Sequence, residues 1–159
     1  KRRSRLQLQQ KGSFVMDREL KVQMDANLEN QGLARAVAAA YVSQADPTVE
    51  ELTEVKTAVS EAFSNAAIHG YENRGGIVKM EFSFISKDTI MIKVMDSGIG
   101  IENIAKAMEP LYTTDTDQNR SGMGFTVMES FMDKIKVDSR PGEGTVVTMV
   151  KKLDTYYGI

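Results

Sequence analysis

Residues 48 to 69 read as one long amphipathic helix, and the segments around it limit what the chain can fold into. Val49, Leu52, Val55, Val59, Ala62, Phe63 and Ala66 recur at helical spacing, Thr48 caps the start and Gly70 supplies the stop. Ahead of it, Leu20, Val22 and Met24 alternate with polar neighbours, the period of a half-buried strand. Residues 29 to 44 then place Leu33, Val37, Ala38 and Tyr41 along a first helix that ends at Asp46-Pro47. Beyond Gly70, residues 77 to 84 and 89 to 95 flank Ser86-Lys87-Asp88 as a β-hairpin. Ile135 to Asp138 and Thr145 to Val150 flank Arg140-Pro141-Gly142-Glu143-Gly144 as a second hairpin. Residues 102 to 108 suit a short helix and Gly124 to Met132 a longer one, while Pro110 to Ser121 lose all periodicity, as expected of a lid loop. The expectation is an α/β fold: a two-layer sandwich with a mixed, mostly antiparallel sheet and helices packed on one face.

At 159 residues the chain has room for one such domain, taken as residues 16 to 159, and 42% apolar with 26% charged residues is ordinary for a globular core. It has no cysteine, so thiol catalysis, disulfides and thiolate metal sites are excluded. Lys1, Arg2, Arg3, Arg5 and Lys11 give the first fifteen residues +5, leaving −7 on the rest of a chain whose net charge is −2. An acidic body lacks the clustered Lys and Arg of a nucleic-acid surface, so no direct nucleic-acid partner is expected. No apolar run reaches the roughly 20 residues of a membrane span, and the basic start lacks the apolar stretch of a secretory signal, so the expected location is cytoplasmic. Met16, followed by a clean alternating segment, reads as an initiator, with residues 1 to 15 a basic extension.

Three polar clusters carry the chemistry. Glu61, Asn65 and His69 follow one another at intervals of four, along one ridge of the long helix. Asn65 offers a neutral hard oxygen to Mg²⁺, which typically takes one or two protein ligands and completes its shell with water and phosphate. Glu61, one turn earlier, can accept a proton as a general base. A solvated helix face would show the same spacing, and closing the helix end is an equal alternative for His69. Asp96 ends an apolar strand and precedes Gly98 and Gly100, so its carboxylate can accept from the exocyclic amine of adenine where glycines admit a ligand to the backbone; an Asp-Ser-Gly turn is the alternative. Gly122 and Gly124 open a helix whose first amides suit di- and triphosphates, with Arg120 placed to reach a γ-phosphate. Thr145 can add a hydroxyl near the adenine, or belong only to a hairpin turn. Together the clusters point to binding of ATP, with cleavage left open.

With these residues in place, residues 17 to 152 resemble the GHKL ATPase superfamily, whose Bergerat-type pocket combines an Asn-bearing helix, an Asp-x-Gly-x-Gly box and a later Gly-x-Gly box. ELTEVKTAVSEAFSNAAIHGYEN, MDSGIGI, EPLYTT and RSGMGFTVMESFMD are similar, more closely, to the anti-sigma F factors of endospore-forming bacteria, a family of serine protein kinases. The resemblance implies that Glu61 is the catalytic base, Asn65 the Mg²⁺ ligand, Asp96 the adenine reader and Arg120 a γ-phosphate contact. It further implies a homodimer that binds a sigma factor of the sigma F type when ATP is bound, phosphorylates a serine of an anti-anti-sigma factor, and uses Arg35 on the first helix for partner contacts. The basic start and the lid segment DTDQN depart from the family pattern. Three alternatives remain open at this point: an anti-sigma kinase of a stress-response sigma factor, an isolated histidine-kinase-type ATPase domain, and a switch that binds ATP without useful turnover.

Overall fold

The structure, a computed structural model, describes residues 18–110 and 124–154. Five strands, β1 (Leu20–Asp25), β2 (Ile77–Phe84), β3 (Thr89–Asp96), β4 (Lys134–Arg140) and β5 (Gly144–Lys152), form one sheet in the order β1-β2-β3-β5-β4. Every pairing among the described residues is antiparallel. The register sets apolar rows across all five strands: Val22, Met80, Val94, Val147 and Val137 stand opposite one another in turn, as do Leu20, Phe82, Ile92, Met149 and Ile135. Because strand side chains alternate between faces, these rows lie on one face, where the central members are fully buried.

Helices α1 (Gln31–Val42), α2 (Val49–Asn65) and α4 (Gly124–Phe131) cover that face, and α3 (Ile104–Ala107) is a single turn after β3. Helix α2 begins with a capping box, in which Glu51 N donates to Thr48 Oγ1 at 3.1 Å and Thr48 N to Glu51 Oε2 at 2.9 Å. The other oxygen of Glu51 accepts from Asp154 N at 2.6 Å, which ties the end of the sheet to the start of α2. Lys151 Nζ meets Glu54 Oε2 at 2.7 Å and Phe131 O at 2.8 Å, joining α2, α4 and β5 through one partly desolvated cation.

Two side chains assigned to inner stripes lie outside. Leu33 is 52% exposed, and Ala34 and Ala38 occupy the α1 seam instead, small enough to let α1 lie close against α2. Val49 is 83% exposed, because it precedes the first turn of α2 that packs. The helix also does not run regularly to Gly70. After Asn65 it widens into a π turn, Ala66–Gly70, closed by Tyr71 N donating to Ala66 O at 2.9 Å.

Candidate functional site

Glu61 and Asn65 stand one turn apart near the carboxyl end of α2, both half-buried. Facing them is Gly124, the first residue of α4. A methyl group built on Gly124 would lie 3.0 Å from Asn65 Nδ2, 3.2 Å from Asn65 Oδ1 and 3.3 Å from Glu61 Oε2. The carboxamide is therefore side-on to the start of α4, and the helix can approach this closely because glycine stands there. The amide end of α4 is a positive pole that favours an anion, and it stands beside Asn65.

The π turn carries the chain from Asn65 to the second half of the site. A side chain at Gly70 would sit 2.7 Å from Asp96 Oδ1 and 2.9 Å from Oδ2, so only glycine lets the helix end pack on that carboxylate. Gly98 N donates to Asp96 Oδ1 at 2.9 Å, and Ile99 N to Gly70 O at 2.9 Å. A Cβ on Gly98 would overlap Gly70 O at 2.0 Å, and one on Gly100, whose φ is +75°, would overlap Arg140 O at 2.0 Å. The far side of the loop is tied as firmly: Gly142 N donates to Ile99 O at 2.6 Å and Ile101 N to Ser139 Oγ at 2.8 Å. Tyr71 Oη accepts from Ser97 N at 2.8 Å and donates to Ile77 O at 2.6 Å.

Burial raises the Asp96 carboxyl above the ordinary carboxylate range, and the backbone N–H groups of Gly98 and Thr145 pull it partly back. A carboxylate desolvated in this way and held by backbone amides is typical of groups that meet a ligand. Thr145 stands directly opposite Asp96 in the β3–β5 register, so the two side chains share a face, and Thr145 is buried. Its Oγ1 is 2.8 Å from Ser139 Oγ.

Of the residues singled out from sequence, Glu61, Asn65 and Gly124 form one contact set, and Asp96, Gly98, Gly100 and Thr145 a second, joined by the π turn. His69 is half-buried on that turn, where the helical spacing used to align it with Glu61 and Asn65 no longer holds. Arg35 is exposed on α1 and belongs to neither set, with Nη2 donating to Ser60 Oγ at 2.9 Å. Arg120 and Gly122, with the lid expected around them, lie outside the described residues. Gly70, Tyr71 and Ser139 were not expected as site residues. Gly70 read as a helix stop, and Ser139 carries no motif. Among the described residues no cluster of three or more His, Cys, Asp or Glu side chains forms a cation cage, and no helix is long and apolar enough to cross a membrane.

Residues 24–151 match the family model of the histidine kinase-like ATPase domain. The chain is 54% identical over 138 residues to the anti-sigma F factor of Clostridium acetobutylicum, covering 87% of this chain and 96% of that one. It is 52% identical over 141 residues to the anti-sigma F factor of Clostridium perfringens (88% and 100% covered). To that of Thermoanaerobacter pseudethanolicus it is 54% identical over 123 residues (77% and 85% covered). Among solved structures, the RsbU and RsbW domains of a Mycobacterium tuberculosis protein align with a TM-score of 0.60 at 15% identity, over 85% of this chain and 32% of that one, so this chain spans about a third of it. The catalytic domain of the histidine kinase ThkA aligns with a TM-score of 0.51 at 15% identity, over 84% of this chain and 96% of that one. At such identity these two likenesses bear on fold alone.

Proposed function

The chain belongs to the anti-sigma F factor family, within the histidine kinase-like ATPase domains, and from that premise we propose that it is an ATP- and Mg²⁺-dependent anti-sigma factor. It binds a sporulation sigma factor and transfers phosphate to a serine of an anti-anti-sigma protein, acting in the cytoplasm as a homodimer. The observation that carries this reading is the meeting of Glu61, Asn65 and the start of α4 at one end of α2, one π turn from the half-buried carboxylate of Asp96.

The residues present suit the ligand. Asn65 supplies a neutral oxygen, and with no acidic cage among the described residues the remaining ligands of Mg²⁺ would come from phosphates and water. Bound there, Mg²⁺ would neutralise charge on the phosphates. The amides opening α4, with Gly122, hold the phosphate chain, and Arg120 contacts its end. Asp96 and Thr145 take the adenine edge, with Gly98 and Gly100 letting the loop beside it pack against Gly70 and Arg140. Glu61 accepts the proton of the attacking serine hydroxyl as the serine oxygen bonds to the γ-phosphorus and the bond to the β-phosphate oxygen breaks. Arg35, outside the pocket, meets the protein partner.

The test is incubation with γ-labelled ATP and two purified anti-anti-sigma proteins, one of sporulation type and one of stress-response type. Label is expected on a serine of the sporulation-type protein. Glu61→Gln is expected to keep ATP binding and lose transfer by about a hundredfold or more. Unchanged transfer by Glu61→Gln would remove the base assignment, and label appearing only on the stress-response protein would reassign the partner.

A further inference from the structure

Ser139 lies on β4, outside every nucleotide-binding cluster of the sequence, yet three polar groups converge on its single oxygen. Ile101 N donates to it at 2.8 Å, Gly144 O lies 2.9 Å away, and Thr145 Oγ1 lies 2.8 Å away. The protons can be counted. Ser139 has one hydroxyl hydrogen, and Gly144 O can only accept, so that hydrogen goes to Gly144. With its proton spent, Ser139 accepts from both Ile101 N–H and the Thr145 hydroxyl. The Thr145 proton is thereby turned away from Asp96, and the oxygen of Thr145 keeps only lone pairs for anything else beside it.

We infer that Ser139 is a positioning residue for base recognition: by holding the Thr145 proton it fixes Thr145 as a second hydrogen-bond acceptor next to Asp96, and by holding Ile101 it fixes the loop that walls the same pocket. Asp96 and Thr145 are cross-strand partners with side chains on one face. Two acceptors side by side match a base whose edge presents an amino group. They disfavour a 6-oxo purine, whose oxygen would meet lone pairs at both acceptors. Without Ser139 the Thr145 hydroxyl can turn its hydrogen toward the pocket, and the preference for an amino group weakens. Gly144 has φ of +90° and would overlap Asp96 O at 2.1 Å if it carried a side chain, so the turn between Ser139 and Thr145 has little freedom to compensate.

This rests on the proposed reading of Asp96 as the adenine contact, and the experiment separates the two. The protein is titrated calorimetrically with Mg²⁺ and each of ATP, GTP and purine riboside triphosphate, which has the same phosphates but no exocyclic amine. The wild type is expected to prefer ATP to both. Ser139→Ala is expected to lose about tenfold in ATP affinity, to hold purine riboside triphosphate within about twofold, and to narrow the ATP-to-GTP ratio. Ser139→Thr, which keeps the hydroxyl on a residue suited to a strand, should restore the wild-type ratios. Thr145→Val, which keeps the shape and removes the oxygen, should reproduce Ser139→Ala. Equal loss for ATP and purine riboside triphosphate in Ser139→Ala would reduce Ser139 to a structural role, and unchanged ratios would remove it from recognition; either result overturns this inference alone. A wild type that does not discriminate ATP from purine riboside triphosphate overturns the adenine reading with it.

Discussion

At the scale of single residues, Asp96 sets function against stability. Its carboxyl is raised from 3.8 by burial, so folding favours the neutral form. The stability this group contributes is complete below its unfolded value and is lost as pH rises through the raised folded value. Ionising Asp96 in the nucleotide-free protein therefore carries a cost, while adenine recognition requires that ionised form. Asp96→Asn is expected to leave the nucleotide-free thermal midpoint at pH 7 unchanged or higher, and to weaken ATP binding by about a hundredfold, because the new amide presents a donor to a donor. For the wild type, ATP binding relative to purine riboside triphosphate should begin to weaken at a pH above 3.8 as acid is added, since a protonated carboxyl has lost one acceptor. A relative affinity that stays flat down to 3.8, or an Asp96→Asn protein of normal ATP affinity, would contradict the role.

Between elements, the glycines decide how closely backbones meet. Gly98 and Gly142 both serve the Asp96–Gly100 loop but under different constraints. A methyl group on Gly98 would run into the carbonyl of Gly70, which is backbone and cannot swing aside, whereas one on Gly142 meets nothing within 4 Å and suffers only from a φ of +78°. Gly98→Ala is therefore expected to cost about 2 kcal/mol, a fall of roughly 4–8 °C in thermal midpoint, and to reduce ATP affinity with it. Gly142→Ala should cost about 1 kcal/mol and leave ATP affinity near normal. Melting curves and titrations on the two variants check this, and equal effects would show that the Gly70–Gly98 contact does not hold the loop. These contacts also explain what sequence conveys. Helix α2 was legible because its cap, stripe and stop are local signals, and both hairpins because their alternation is. The π turn was not, since it depends on Gly70 meeting a carboxylate from β3, and no local pattern encodes that meeting. Leu33 and Val49 were misplaced for a related reason: spacing gives the period of a stripe, while the facing helix decides its centre and where it begins.

For the molecule as a whole, the sheet order and the packing of α2 over it bring residues from positions 61 to 145 to one end of the sandwich. The separate motifs were readable in the chain, but their union depends on the π turn after Asn65, the start of α4 against Asn65, and the β3–β5 register that pairs Asp96 with Thr145. A shared pocket responds to ligand as one site. Amide resonances of the isotopically labelled protein, followed by NMR while Mg²⁺ and a non-hydrolysable ATP analogue are added, test that directly. Asn65, Gly98, Gly124 and Thr145 are expected to shift together along a single saturating curve with one dissociation constant. Shifts confined to the Asn65–Gly124 set or to the Asp96–Thr145 set, or two curves of different affinity, would contradict a shared nucleotide pocket.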